Sequence, residues 1–205
     1  MNKGLHSLGV GLLLLILSSF ISHLRADAQT SDPVVVLQTT KGPIAMRVYL
    51  SLVPNTASNF LELVGGGFYN GLTFHRVESW VIQGGDPNGN GTGDFIDPNT
   101  RQPRYLRLET NQMLRHNAPG VVAMAHGKSP NSGSCQFYIT KKAMPALDGS
   151  YSIFAGVLKG MDVVYNIQPG DRILSAEIVS GGSSRAGRQV PTGPTQGGPA
   201  GDSGF

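Results

Sequence analysis

Apolar residues recur along this chain with two different periods, and the change from one to the other marks out the elements. Ile44, Met46, Val48 and Leu50 alternate with Ala45, Arg47 and Tyr49, the two-residue period of a strand with one buried face. The apolar run Val34 to Leu37 and the turn pair Lys41-Gly42 make this strand the second arm of a hairpin. Pro54 suits a first helical position, and beyond it Ala57, Phe60, Leu61 and Val64 recur at i, i+3, i+4 and i+7. That spacing predicts a short amphipathic helix, ended by Gly65 to Gly67. After the tight-turn pair Asn70-Gly71, strands are expected at Phe74 to Val77, Trp80 to Gln83, Val121 to Ala125, Gln136 to Thr140 and Ile173 to Val179. Gly160 to Gln168 reads as a second short helix through Met161, Val164 and Ile167. Many short strands with regular turn signals point to a β-sandwich or barrel, and the pattern alone does not choose between them.

The two ends depart from this pattern. Lys3, the apolar run Val10 to Leu17 and the small-x-small sequence Ala26-Asp27-Ala28 read as a signal peptide over 1–28, cleaved on export. A retained membrane anchor is the competing reading. Ser18, Ser19, Ser22, His23 and Arg25 interrupt the run short of the ~20 residues a span requires, so no stable span is expected after cleavage. Residues 33–180 read as one domain. Past Ser180 the composition turns to Gly, Pro, Ser and Thr, too poor in apolar surface to offset ordering entropy, so 181–205 is expected to be a disordered tail. The terminal Gly201-Asp202-Ser203-Gly204 has no core around it to build a protease triad.

Charge and cysteine count narrow the function. The formal net charge is +3, and removing Lys3, Arg25 and Asp27 with the leader leaves 14 basic against 12 acidic residues, or +2. No basic run concentrates it, which argues against nucleic acid as a partner. Cys135 is the only cysteine, so an intramolecular disulfide is excluded. It reads as a small packed residue in preference to a redox switch.

The stretch richest in chemistry is FHRVESWVIQGGDPNGNGTG, Phe74 to Gly93. In a regular strand Phe74 and Arg76 share one face and His75 and Val77 the other. A hairpin then brings Trp80 and its neighbours beside the Arg76 guanidinium. The bland alternatives are an ion-pair arginine facing Glu78 or Glu109, and plain core roles for Phe74, Val81 and Leu147. Gly89, Gly91 and Gly93 imitate a phosphate loop, but Asp94 to Pro98 is a poor helix start, and a surface loop passing through positive φ fits better. Asp86 is expected to shape that turn. His75, His116 and His126 lack metal-ligand spacing, so no metal or other cofactor is expected.

These residues resemble the signature of the cyclophilin-type peptidyl-prolyl isomerases: Phe-His-Arg-Val, a short turn, an aromatic, two apolar residues and Gln-Gly-Gly-Asp. The turn here is one residue shorter than the family's. The segment Val121 to Thr140, with Met124-Ala125 and Gln136-Phe137-Tyr138-Ile139, and then Leu147-Asp148-Gly149 and Phe154, continue the match, which spans 34–179. Cys135 replaces a usual serine, Tyr138 the pocket phenylalanine, and Ala146 a tryptophan that contributes to cyclosporin binding in many eukaryotic members, so weak cyclosporin binding is expected.

The resemblance implies a mainly-β fold, a closed eight-stranded antiparallel barrel capped by two short α-helices, with its interior filled and its site outside. It implies catalysis of rotation about X-Pro bonds in proline-containing polypeptides. Arg76 would be catalytic; Trp80, Val81, Tyr138 and Leu147 would hold the proline ring; Gln83 would position Arg76 or the substrate carbonyl; Ala125, His126 and Gln136 would flank the peptide backbone. With the leader, this gives a monomeric isomerase assisting the folding of exported proteins, in the periplasm or thylakoid lumen. The alternative is a proline-peptide binding module or holdase with little turnover.

Overall fold

The computed structural model describes residues 32–180; the leader at 1–28 and the tail at 181–205 lie outside the described residues. The expected first hairpin forms from β1 (Val34–Thr39) and β2 (Gly42–Val48), paired with Val36 opposite Ala45. Thr39 closes its turn, its hydroxyl donating to the Gly42 carbonyl at 2.6 Å and accepting from the Lys41 N–H at 3.1 Å. Alternation sends Val35, Leu37, Ile44, Met46 and Val48 into the core.

Helix α1 (Pro54–Gly65) opens on Pro54 as expected, yet its N-cap residue Val53 offers no side-chain bond. Glu109, from a distant loop, supplies the missing acceptor: its carboxylate takes the N–H of Asn55 at 3.2 Å and of Thr56 at 2.7 Å. The buried stripe of α1 is Ala57, Phe60, Leu63 and Val64, whereas the expected Leu61 is only half-buried. Phe60 packs at 4.8 Å from Phe154, 5.2 Å from Tyr69 and 5.7 Å from Phe137, between ring centroids, so one aromatic cluster joins the helix to the sheet.

The remaining strands are β3 (Phe74–Val77), β4 (Val81–Gly84), β5 (Val121–Met124), β6 (Phe137–Thr140), β7 (Ile153–Lys159) and β8 (Ile173–Ser180), with α2 (Met161–Asn166) before β8. The sequence pattern leaves β7 unassigned. All pairs are antiparallel, in the order β3-β4-β6-β5-β7-β2-β1-β8.

The sheet is a strongly curled half-barrel, which corrects the expectation of a closed barrel. Its edge strands β3 and β8 form no ladder with each other. They meet only at one end, through the Thr73–Arg172 bridge and the bonds around it, such as Phe74 N–H to Asp171 O at 2.8 Å and Ile173 N–H to Leu72 O at 2.8 Å. The reason is local: β3 is four residues long and bulged after Phe74, so it bends away before a ladder can propagate.

Inside the curl lies the main core, filled by Leu37, Met46, Phe60, Phe74, Phe137, Phe154 and their neighbours. A second, smaller apolar cluster of Val81, Ala123, Tyr138 and Ile153, flanked by Trp80, Leu147 and Tyr151, forms separately. On β4 and β6, members of the two clusters alternate, Val81 with Ile82 and Phe137 with Tyr138, so the second cluster lies on the outer face. No helix among the described residues is long and apolar enough to cross a membrane.

Candidate active site

A hollow of about 390 Å³ opens over this outer cluster, lined by His75, Arg76, Trp80, Gln83, Asn90, Gly91, Ala125, His126, Tyr138, Leu147 and Tyr151. Seven of the expected residues therefore share one wall. Val81 does not reach it: fully buried, it supports the floor beneath Trp80 and Tyr138. Gln136 lines an adjoining hollow of about 300 Å³ that shares Gln83, Gly91, Ala125 and His126 with the first.

Arg76 reaches the groove by a route that strand alternation does not predict. Phe74 pairs with Gly84 and Arg76 with Gln83, leaving His75 as an extra residue on β3. The bulge separates Phe74, fully buried in the core, from Arg76, which is exposed. His75 and Arg76 both line the hollow, so the expected sharing of a face by Phe74 and Arg76 is overturned.

The guanidinium is fixed from three directions. Its carbon stands 5.2 Å from the Trp80 ring centroid, Nη1 donates to Gln83 Oε1 at 3.2 Å, and Nε donates to Glu78 Oε1 at 2.7 Å. Glu78 is thus the ion-pair partner, and Glu109 caps α1 instead. The other Glu78 oxygen accepts from Trp80 Nε1 at 2.7 Å. These bonds, Arg76 first and Trp80 second, hold the Glu78 carboxyl below its ordinary range. Beyond Arg76 the polar chain continues, Gln83 Nε2 donating to Gln136 Oε1 at 2.9 Å and Gln136 Nε2 to the Gly93 carbonyl at 2.9 Å.

The loop after β4 is organised by Asp86, only 1% exposed. Its carboxylate accepts the N–H groups of Asn88 at 2.9 Å, Asn90 at 2.8 Å, Gly93 at 2.9 Å and also Gly91. Burial alone would raise its pKa; the backbone bonds outweigh that and lower it. Asp86 is the loop's internal anchor, with Gly89 and Gly91 at positive φ as expected. Gly85, at φ +83, lies so close to the next strand that a Cβ would sit 2.6 Å from the Cys135 carbonyl.

His75 is pushed below its ordinary pKa chiefly by burial, with Asp86 opposing and Arg76 adding to the shift. Neither of its ring nitrogens finds a hydrogen-bond partner among the described residues. His126 holds its nitrogens 2.8 Å from the Gly127 and Ser150 carbonyls and stacks on Tyr151 at 4.5 Å. Tyr151 also packs edge-on against Tyr138 at 5.5 Å. His75, Asn90, Gly91 and Tyr151 are wall residues outside the set that sequence reasoning assigned to the site. His75 and Gly91 are weighed there only as a metal ligand and a phosphate-loop glycine, while Asn90 and Tyr151 are marked by nothing but their nearness to Asp86 and Gly149.

Tyr138 explains itself from behind. It is 4% exposed, and its hydroxyl lies 3.0 Å from His116 Nε2, whose Nδ1 lies 3.0 Å from Asp148 Oδ1. A carboxylate only accepts, so Nδ1 carries the hydrogen and, in the neutral ring, Nε2 accepts from the tyrosine. The same Asp148 oxygen accepts the His116 backbone N–H at 2.7 Å, and Met144 N–H reaches the His116 carbonyl at 2.7 Å. This knot pins the 3-10 turn Pro145–Leu147 and with it Leu147 at the groove. Cys135 is buried, and burial pushes its thiol up to about 12, the behaviour of a packed residue. Among the described residues no cluster of three His, Cys, Asp or Glu groups could hold a metal.

A half-barrel carrying an outer hollow with an apolar floor and one fixed cationic donor in its wall is an arrangement able to take a small ring beside a directed hydrogen bond. Residues 34–184 match the model of the cyclophilin type peptidyl-prolyl cis-trans isomerase family, and the chain belongs to that family as an isomerase of X-Pro bonds. It is 37% identical over 142 residues to the Arabidopsis thaliana peptidyl-prolyl cis-trans isomerase CYP18-2, covering 69% of this chain and 84% of that one. With a peptidyl-prolyl cis-trans isomerase of Synechococcus elongatus it shares 38% over 148 residues, covering 71% and 95%. A crystal structure of a Cryptosporidium parvum cyclophilin superposes with a TM-score of 0.67 at 29% identity, covering 73% of this chain and 98% of that one. A second structure of that protein, in the presence of the dipeptide Ala-Pro, gives 0.64 at 29%, covering 72% and 99%.

The Tyr138 hydroxyl therefore serves the fold and not the groove. Tyr138→Phe is expected to keep turnover, because the ring remains, and to lower stability by about 1–3 kcal/mol by leaving His116 Nε2 buried without a hydrogen-bond partner. Chemical denaturation alongside a turnover assay checks this; lost turnover at unchanged stability would contradict it.

Proposed function

We propose that this isomerase acts on X-Pro bonds of exported proteins and assists their folding, with Arg76 as the catalytic donor. The observation that carries the assignment is the guanidinium fixed on Trp80 and Gln83 in the wall of the hollow, over its apolar floor. Amide resonance sets a barrier of roughly 18–20 kcal/mol. In the twisted state the prolyl nitrogen regains a lone pair, and a donor aimed there stabilises that state more than either planar isomer. Arginine suits the task because its donors are planar and permanently charged.

A ~10⁵-fold acceleration needs about 7 kcal/mol, more than one charge-assisted hydrogen bond at about 1.5–3 kcal/mol. Binding and desolvation in the hollow supply the rest. Trp80, Tyr138 and Leu147 hold the proline ring over the support of Val81; Ala125, His126 and Gln136 flank the peptide backbone, with Gln83 fixing the guanidinium. The protein works as a monomer in the periplasm or thylakoid lumen. The apolar leader and small-x-small site in the sequence support export, and cell fractionation is expected to recover the protein outside the cytosol; a cytosolic pool of full-length chain would refute it.

Arg76→Ala is expected to lose about a hundredfold or more in turnover while largely keeping peptide affinity, read in a protease-coupled assay on an X-Pro peptide. The wild-type rate should be nearly flat from about pH 6 to 8, since no proton is transferred. A bell-shaped profile would instead implicate His75 or His126.

Ala146 leaves no indole beside Leu147, so cyclosporin is expected to bind weakly. Titration calorimetry checks this, and a tight complex would contradict it.

A further inference from the structure

The β3–β4 turn contains an acidic residue bonded to both sides of the reacting corner. Between Val77 and Val81 the chain has only Glu78, Ser79 and Trp80, closed by Glu78 N–H to the Val81 carbonyl at 2.9 Å. So short a turn brings the Glu78 carboxylate back over its own strand. One oxygen takes Arg76 Nε at 2.7 Å and the other takes Trp80 Nε1 at 2.7 Å. Nε and Nη1 of Arg76 are thereby occupied, by Glu78 and Gln83, while Nη2 makes no hydrogen bond to the described residues.

We propose that Glu78 is a positioning residue for catalysis: by holding Arg76 Nε and Trp80 Nε1 on its two oxygens, it locks the guanidinium against the indole and leaves Nη2 free for the substrate. This deepens the assignment of Arg76 and rests on it. The role belongs to geometry and not to folding, because Arg76 and Glu78 are 43% and 45% exposed, and ion pairs of that exposure contribute little to stability. An unrestrained arginine samples many rotamers and must lose them on meeting the substrate. The carboxylate removes that loss before the peptide arrives. It also fixes the indole, so the apolar wall and the donor move as one unit.

The test compares Glu78→Ala and Glu78→Gln with wild type in the full chain, measuring kcat, KM, thermal midpoint and the emission of Trp80, the chain's one tryptophan. Glu78→Ala is expected to lower kcat/KM by about tenfold, mostly in kcat, with the thermal midpoint unchanged and the emission shifted. Glu78→Gln, with a single carbonyl oxygen to share, falls between. In an Arg76→Ala background, Glu78→Ala adds little further loss.

Wild-type kcat in Glu78→Ala, a rise in kcat, or an equal loss with Arg76 already absent would each overturn the proposal while leaving the isomerase reading intact. A loss of kcat that tracks a lowered thermal midpoint in both variants would reduce Glu78 to a structural role and overturn it as well. An inactive wild-type chain would instead sink the assignment of the groove, and this proposal with it.

Discussion

One inserted residue in the β3–β4 ladder decides which side of the sheet the guanidinium occupies. Regular alternation would put Arg76 with Phe74, inside a core of Phe60, Phe137 and Phe154 that offers a cation no partner. Burying an unpaired guanidinium costs several kcal/mol, so an unbulged β3 could not keep both residues. The bulge at His75 resolves the conflict by changing face within the strand. The same bulge ends the strand's capacity to pair further, so the open edge of the half-barrel and the outward arginine share one cause.

Placing the donor outside is useful only if the outer face is rigid and apolar there. Strand β6 provides this, because all four of its residues are buried: Phe137 and Ile139 by the core, Tyr138 by the outer cluster. An antiparallel sheet commonly shows water one of its faces. Here Trp80, Leu147 and Tyr151 cover it locally and stop short of filling the hollow. The Asp148–His116–Tyr138 chain, with His116 and Tyr138 buried and Asp148 partly exposed, fixes the pocket from beneath, which lets a tyrosine stand where a phenylalanine would suffice for contact.

Much of this was legible in the chain because period and punctuation carry it. The β1–β2 hairpin, α1, β3 and β6 follow from alternation, Pro54 and the glycine turns, and the Arg76, Trp80, Tyr138 and Leu147 wall follows from the signature. Strand β7 was not, since Ile153-Phe154-Ala155-Gly156 lacks alternation when buried beside other strands. The bulge was invisible because nothing in Phe74-His75-Arg76 departs from strand composition, and the register slip is set by the pairing of β4. Closure of the barrel is likewise a property of edge geometry, decided by bonds between Leu72, Phe74, Asp171 and Ile173 that no local pattern announces. Glu109 at the start of α1 is a long-range cap that no local capping motif could reveal.

The polar residues on the outer face form one line, from Trp80 through Glu78, Arg76, Gln83 and Gln136 to the Gly93 carbonyl. It ties the β3–β4 turn, β4, the segment entering β6 and the Asp86 loop into a single frame. Each bond is modest by itself, but a chain of bonds orders every member at once. A carboxylate beside the proposed catalytic cation has an evident drawback, since it offsets the charge the transition state is meant to feel. Two features limit that drawback. The pair is solvent-screened, so the loss of field at the groove is small, and the contact falls on Nε, at the rear of the guanidinium. Direction in a hydrogen bond to a pyramidal nitrogen matters more than net charge, because only a donor aligned with the lone pair distinguishes the twisted bond from the planar one. The frame trades some field for alignment, and a surface groove open to water has more alignment than field to gain.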